Sequence, residues 1–463
     1  MWLRGSAVCL LLCLDISAEE WTRFRGPNGS GVSQDTGFPV EFGKDKNLAW
    51  RTPVRAGKSS PVLTRTRVFL TAFEDGKLYT QCFDRATGKL LWERSELRPR
   101  DEQVNVLNHP AAMSPVTDGS SVYVFFKDLG LVSYDSSGKL RWKVPLGPYT
   151  VSMGLASSPV LADGTVVILA DQLEGSFIAG FAARDGEMRW RIPRAEGEGW
   201  ATPLVYAEPR APAQVLTVSR GLLGGHRADS GQRTVNFNGI SPAIVASPIL
   251  VDDTIYLFGY GYDTPPPFSA RLEKLDKNRD GKLSPDEYGE DAFLRSIAKY
   301  SGNRDMILSE DEWMERQLNI LGHNGVMAIH LEHKANGIEP RELWRTRKAL
   351  NGVIPSPLLY QGVLYVIRNG GILLTLDAAT GNILKEARVP GALAGFSSSP
   401  VAADGKVYLA NEEGKVAVLR AGREWEVLAV NDLNESCFAT PALSEGQIYL
   451  RTGEALYRFE SRR

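Results

Sequence analysis

The chain has 463 residues, 43% of them hydrophobic, and a net charge of −2. Such a composition, with no low-complexity tract, describes a globular protein long enough for an extensive core. So small a charge offers no field to attract nucleic acid or an anionic membrane surface, and neither is expected as a partner. Forty-five Gly and 26 Pro, spread along the chain, suit many turns between short strands.

The first predicted element, residues 1–18, reads as a cleavable export signal. Arg4 supplies a positive start, Ala7 to Leu14 an apolar run, and Ile16-Ser17-Ala18 a small-residue cleavage site. The run is too short to span a bilayer, so no transmembrane segment is expected and the location read is exported, periplasmic or secreted. A lipid-anchored Cys follows a small residue, whereas Cys9 follows Val8 and Cys13 follows Leu12. Beyond the signal only Cys82 and Cys437 remain; an oxidising compartment permits their pairing, and two buried core thiols are the alternative. Residues 19–46 read as a loop-rich segment.

From residue 47 onward the chain repeats. SSPVLTRTRVFLTAFEDGKLYTQCFDRATGKLLWE (59–93) is echoed by MSPVTDGSSVYVFFKDLGLVSYDSSGKLRWKV (113–144) and by SSPVLADGTVVILADQLEGSFIAGFAARDGEMRWRI (157–192). The opening dipeptide recurs at Ser60, Ser114, Ser158, Thr202, Ser247, Ser356, Ser399 and Thr440, each followed by Pro. Most spacings lie between 41 and 54 residues, the length of a four-stranded unit with its turns. Four-stranded units repeated radially give a β-propeller. Trp92, Trp142 and Trp190 follow the turn glycines Gly88, Gly138 and Gly186 by four residues, Trp344 and Trp425 lie in the corresponding strands, and Val235 and Lys385 replace the ring elsewhere. Such a Trp suits the gap between blades. The last repeat lacks its final strand, while NLAWRTPV (47–54) is a final strand without a blade. The expected fold is therefore all-β, an eight-bladed propeller of four-stranded blades closed by the N-terminal strand, which leaves no open edge.

One spacing of 109 residues interrupts the pattern. Blades one to the first part of five occupy 47–264, an α-helical insertion 265–322, and the remainder 323–463. Phe268, Leu272 and Leu275, then Phe293, Ile297 and Tyr300, recur at helical spacing. Between them DKNRDGKLSPDE (276–287) matches D-x-[DN]-x-[DN]-G-x5-E. Asp276, Asn278 and Asp280 offer side-chain oxygens, Lys282 its backbone carbonyl, Ser284 a hydroxyl acting through water, and Glu287 two oxygens, the donor set calcium takes. A second, worn loop, SGNRDMILSEDE (301–312), keeps Asn303, Asp305, Ser309 and Glu312. Ser301 and Met306 replace its first Asp and its Gly. Leu283 and Leu308 stand at the same apolar position of the two loops, which together resemble an EF-hand pair. Calcium is the cofactor expected.

Two weaker patterns carry little. His330 and His333 lie in one strand, where alternation points them to opposite faces, against a zinc pair. NHPAAM (108–113) and ALAGFSSS (392–399) are expected at one mouth of the ring, where small residues either receive a ligand or let eight strands crowd the axis.

The pattern x-x-x-D-x-x-T-G-x-x-x-W, as in FDRATGKLLW (83–92), resembles the pyrroloquinoline-quinone (PQQ)-like β-propeller repeat, from about residue 47 to the C-terminus. The opening WTRFRGPNGSGVS (21–33) is similar to the start of exported bacterial members. The resemblance implies the fold and leaves two functions. Enzymatic members hold a quinone and calcium in the axial funnel, with an Asp as base and, in many, adjacent cysteines against the quinone. This chain has no adjacent cysteines, and no residue matches those ligands or that base singly, which argues against PQQ. Scaffold members are similar to the outer-membrane barrel-assembly lipoprotein, a docking platform. The reading favoured is a calcium-binding propeller that docks an unknown protein or small-molecule partner at one face; the alternative is a quinoprotein dehydrogenase.

Overall fold

Alternation explains each blade before the ring is assembled. Inner strands such as Ser121–Phe126 and Thr165–Ala170 are buried at every position, because sheets cover both of their faces. Outer strands such as Leu140–Pro145 bury only every few residues, since one edge meets solvent. In the computed structural model, which describes residues 20–101, 108–207, 211–242, 244–261, 266–300, 302–318, 324–334, 337–350 and 352–461, these strands form eight four-stranded antiparallel sheets. The export signal lies outside the described residues. Seven sheets use four consecutive strands. In the eighth, Leu48–Pro53 pairs with Ala455–Glu460, with Arg51 opposite Tyr457 and Thr52 opposite Leu456.

The Trp–Gly pattern is a joint between neighbouring blades. The indole N–H groups of Trp50, Trp92, Trp142, Trp190 and Trp344 donate to Arg85, Ser136, Ala183, Ala228 and Ala378, carbonyls in the next blade's turn, at 2.9–3.2 Å. The turn glycine lies against the same ring. A Cβ on Gly138 would meet Trp92 at 2.6 Å, and one on Gly381 would meet Trp344 at 2.4 Å. The joint therefore requires a tight turn ahead of each Trp. Val235 precedes the fifth blade, which has a long hairpin from Gly325 to Arg347 instead. Lys385 precedes the seventh, where its Nζ sits 4.2 Å over the Trp425 ring. Trp425 itself lies in the turn of that blade, just ahead of the strand Glu426–Asp432 and not within it as its sequence position suggested; it packs against the sixth blade, and its N–H has no partner among the described residues. Cys82 and Cys437 are buried free thiols in separate clusters of the core.

Residues 20–46 do more than a loop-rich leader would. Leu63 N–H donates to Trp21 O (2.8 Å), Thr117 N–H to Thr22 O (2.9 Å) and Ala402 N–H to Gly31 O (2.8 Å). Arg23 donates to Pro203 O (2.7 Å) and Arg25 to Pro357 O (2.6 Å). The segment thus touches the innermost strands of the first, second, fourth, sixth and seventh blades and crosses one end of the axis as a plug. Trp21 is buried against Gly26, whose φ of +65° and missing Cβ allow the turn; a Cβ there would lie 2.4 Å from the indole.

Four short helices separate Thr254–Gly259 from Gly325–Lys334 within the fifth blade: α1 (Ser269–Leu275), α2 (Pro285–Tyr288), α3 (Ala292–Tyr300) and α4 (Glu310–Leu318). They enclose a small core of their own around Phe268, Leu283, Leu294, Ile297, Leu308 and Trp313. The helical unit leans toward the third and fourth blades. Arg304 pairs with Glu174, and Arg316 lies 3.7 Å from Glu198.

Candidate functional site

Among the described residues, the axis and the helical insertion each bring chemistry-bearing residues together. The axis is built from the repeated dipeptide. Pro cannot donate to a ladder and fixes φ, so it marks where the first strand of each blade starts. The residue before it has its N–H and hydroxyl left for neighbours. The N–H of Ser60 donates to Ser114 Oγ (2.9 Å), that of Ser114 to Ser158 (3.0 Å), and that of Ser158 to Thr202 Oγ1 (3.0 Å). Thr202 continues to Ser247 (2.8 Å), Ser247 to Ser356 (3.0 Å) and Ser356 to Ser399 (2.9 Å). Ser399 then donates to Thr440 Oγ1 (3.0 Å), and Thr440 back to Ser60 Oγ (3.0 Å). Eight blades are tied head to tail in one closed cycle. Ser356→Ala should cost about 1–3 kcal/mol, because the buried N–H of Ser247 loses its acceptor, while Ser356→Thr should recover most of that loss. Urea unfolding of both variants measures it; equal stability of the Ala and Thr variants would remove the cycle from the account.

All eight hydroxyl residues line an axial cavity of about 140 Å³. Phe24 of the plug also lines it. Two residues upstream of each ring member stands a second layer, mostly apolar, including Trp200, Ile354 and Phe438. Its one charged member is Lys58, whose Nζ lies 4.2 Å over the Phe438 ring. Burial pushes the Lys58 ammonium below its ordinary pKa, and the nearby Glu412 carboxylate partly opposes this.

In the insertion, the two loops are joined at the paired apolar position. Leu283 and Leu308 exchange N–H···O bonds of 2.9 Å in each direction. In the first loop Asp276 accepts from the N–H groups of Arg279 (2.7 Å) and Gly281 (3.0 Å), Asn278 from Asp280 (2.9 Å), and Asp280 from Lys282 (2.9 Å). Gly281 takes a φ of +79°. Glu287 accepts from the Ser284 N–H (2.9 Å) and hydroxyl (2.8 Å) and from the Lys277 N–H (3.0 Å). These bonds, those from Ser284 foremost, hold its carboxyl at about 2. The second loop repeats the pattern more loosely: Asn303 accepts from Asp305 (3.1 Å), Asp305 from Ile307 (2.7 Å), and Glu312 from Ser309 (3.0 Å). Met306 adopts the left-handed φ of +69° there, a conformation costly for a side-chain-bearing residue. Ser301 and the ends of the 265–322 segment lie outside the described residues. Among the described residues, no three His, Cys, Asp or Glu side chains converge as metal ligands.

The remaining sequence candidates are dispersed. His330 meets Thr254 Oγ1 (3.3 Å), whereas His333 meets the Tyr206 hydroxyl (2.8 Å). The hydroxyl cycle, Lys58 and the Phe24 plug were not recognisable as a site from sequence; the recurring Ser/Thr-Pro was the signal for the first of these. No helix among the described residues is long and apolar enough to cross a membrane.

A protein-family profile described as outer membrane protein assembly factor BamB matches residues 40–202, 81–260 and 334–463. The chain belongs to this family. Among curated BamB proteins, that of Yersinia pestis is 24% identical over 395 residues, covering 79% of this chain and 87% of its own length. The fold is shared with the crystal structure of BamB from Moraxella catarrhalis, at TM-score 0.55 and 10% identity, over 89% of this chain and 100% of that one. A europium-containing methanol dehydrogenase also shares it, at TM-score 0.63 and 10% identity, over 96% and 98% of the two chains. At such identities the structural likeness speaks to fold alone. The BamB profile leaves residues 261–333 unmatched, the stretch that holds the four helices.

Proposed function

We propose that this chain is an exported protein-docking propeller whose helical insertion binds calcium and is stiffened by it. The observation that carries the calcium part is the mutual bond pair between Leu283 and Leu308, which holds two oxygen-rich loops side by side. The ligands are Asp276, Asn278, Asp280, the Lys282 carbonyl, Ser284 through water, and Glu287, with Asn303, Asp305, Ser309 and Glu312 as the weaker second set. The first loop has three carboxylates against two and the glycine, so it fills first. An affinity in the range of about 10⁻⁵ to 10⁻³ M fits an exported module. Its stabilisation of the insertion reaches roughly 2.7 kcal/mol when free ion is a hundredfold above Kd.

Docking at a face, rather than chemistry in the funnel, is supported by the axis. A cavity of about 140 Å³ lies below the roughly 300–1,000 Å³ of ordinary ligand pockets. Family membership, and the name of the Yersinia relative, an outer membrane protein assembly factor, support a protein partner in the cell envelope. Titration calorimetry on wild type and Glu287→Gln tests the calcium site. The variant should bind at least tenfold more weakly, and equal binding would refute the site. Sustained dye-linked alcohol oxidation after addition of PQQ and calcium would overturn the docking role.

A further inference from the structure

We propose that Glu174 and Glu198, two carboxylates of the ring, are positioning residues for calcium in the second loop of the insertion, so that ion binding and docking of the insertion reinforce each other. The inference rests on the calcium reading above and concerns what the ring adds to it. By its own residues the second loop is the poorer site. It has two carboxylates, Asp305 and Glu312, and it lacks the first Asp and the Gly. Arg304 (φ +62°) and Met306 (φ +69°) are left-handed although both carry side chains. Such conformations persist only where the surroundings hold them.

Two cations stand beside the ligands of that loop. Arg304 lies between Asn303 and Asp305, and Arg316 follows Glu312 by one turn on the same face of α4. Left alone, both would repel a divalent ion held there. Both instead meet carboxylates of the ring. Arg304 pairs with Glu174, in the turn between the third-blade strands Thr165–Ala170 and Phe177–Ala182. Arg316 lies 3.7 Å from Glu198, in the connection from the third blade to the fourth. The Glu198 side chain is 3% exposed and takes the Ser152 hydroxyl at 2.7 Å, which makes it a fixed point. The first loop supplies the contrast. Arg279 holds the place of Arg304 there with the same left-handed φ (+61°), and its guanidinium makes no ion pair among the described residues. The ring thus gives negative charge and a firm seat to the loop that is short of both. Removing either ring carboxylate loosens the loop and leaves a cation facing the ion, and both effects weaken binding. By linkage, calcium tightens the docking by the same factor.

The test uses the full chain. Calorimetric titration with calcium in a Glu287→Gln background, where the first loop is weakened, reads the second. Adding Glu174→Gln should weaken calcium there about two- to fivefold, the range of an exposed ion pair. Adding Glu198→Gln should weaken it about tenfold, because that carboxylate is buried. Glu174→Asp, which keeps the charge, should recover most of the loss. In wild type, calcium should slow amide hydrogen exchange at residues 171–176 and 196–200 of the ring, and that arm needs no variant to fold. Unchanged affinity in both Gln variants, or exchange on the ring indifferent to calcium, overturns the proposal. An equal loss in Glu187→Gln overturns it too, since that third-blade carboxylate pairs with nothing in the insertion among the described residues and net charge would then suffice. Absence of any second-loop binding in Glu287→Gln overturns it while leaving the first site standing. Absence of calcium binding in wild type sinks the calcium reading itself, so the two failures are told apart.

Discussion

A chain lacking residues 1–55 will be recovered as aggregate, without a cooperative urea transition. The deletion removes the strand that pairs with Ala455–Glu460 and so exposes the edge of the eighth blade. It also removes the plug. Trp21, Phe38 and Phe42 are each at most 3% exposed and pack in one cluster with the eighth-blade residues Tyr449 and Phe459. Burial of each side chain contributes about 1.5–3 kcal/mol. Loss of the three, of the ladder and of the Arg23 and Arg25 contacts together matches or exceeds the 5–15 kcal/mol by which domains are ordinarily stable. Size-exclusion chromatography with urea titration decides it. A monomeric fragment with a single sharp transition would show that seven blades and an open eighth suffice.

Glu435→Gln should cost about 3 kcal/mol at neutral pH, the low end for breaking a buried ion pair, because two of its partners reach solvent. Its carboxylate side chain is 1% exposed and joins three parts of the closure. Lys44 of the N-terminal segment lies at 3.0 Å and Arg51 of the closing strand at 3.3 Å. The hydroxyls of Tyr457 and Thr452, both in the eighth blade, donate at 2.6 and 2.5 Å. Burial alone pushes the carboxyl up, but the bonds from Thr452, Tyr457, Lys44 and Arg51 outweigh it and bring it from an ordinary 4.5 down to about 2. A depressed folded value stabilises the fold where the unfolded chain would already be ionised. The contribution is thus complete above about pH 4.5 and is lost as pH falls toward 2. The gap in unfolding free energy between wild type and variant should be full at pH 7 and clearly smaller at pH 3. A gap that is unchanged between those values would assign the loss to packing rather than to charge.

Much of the architecture was legible because the repeat writes local physics many times. Turn glycine and Trp, four residues apart, are two halves of joints to different neighbours, and the period survives in the blades that use both. The positions where Trp is missing became intelligible only in three dimensions, since Val235 and Lys385 answer to the turn of the following blade. The hydroxyl cycle was half visible. Ser/Thr-Pro announced a shared demand, but its bonds run between residues 41 to 109 apart, and to Ser60 across 380, leaving no local trace of donor and acceptor. The plug left still less, because it is held largely through backbone carbonyls and two arginines, which impose no period. Within the insertion, the loop pattern named every candidate oxygen. It could not show that Arg304 and Arg316 reach to Glu174 and Glu198, more than a hundred residues away.

A body of eight near-identical blades has a difficulty of orientation. A partner that recognised only the common repeat would find eight equivalent seats, a degeneracy worth about 1.2 kcal/mol of binding entropy and ruinous for defined geometry. The helical unit lies over one sector of the rim, anchored at Glu174 and Glu198, and so marks that sector off from the rest. A partner that touches α4 and a blade edge together therefore has one seat, and its rotation about the axis is set by a landmark the repeat itself cannot supply.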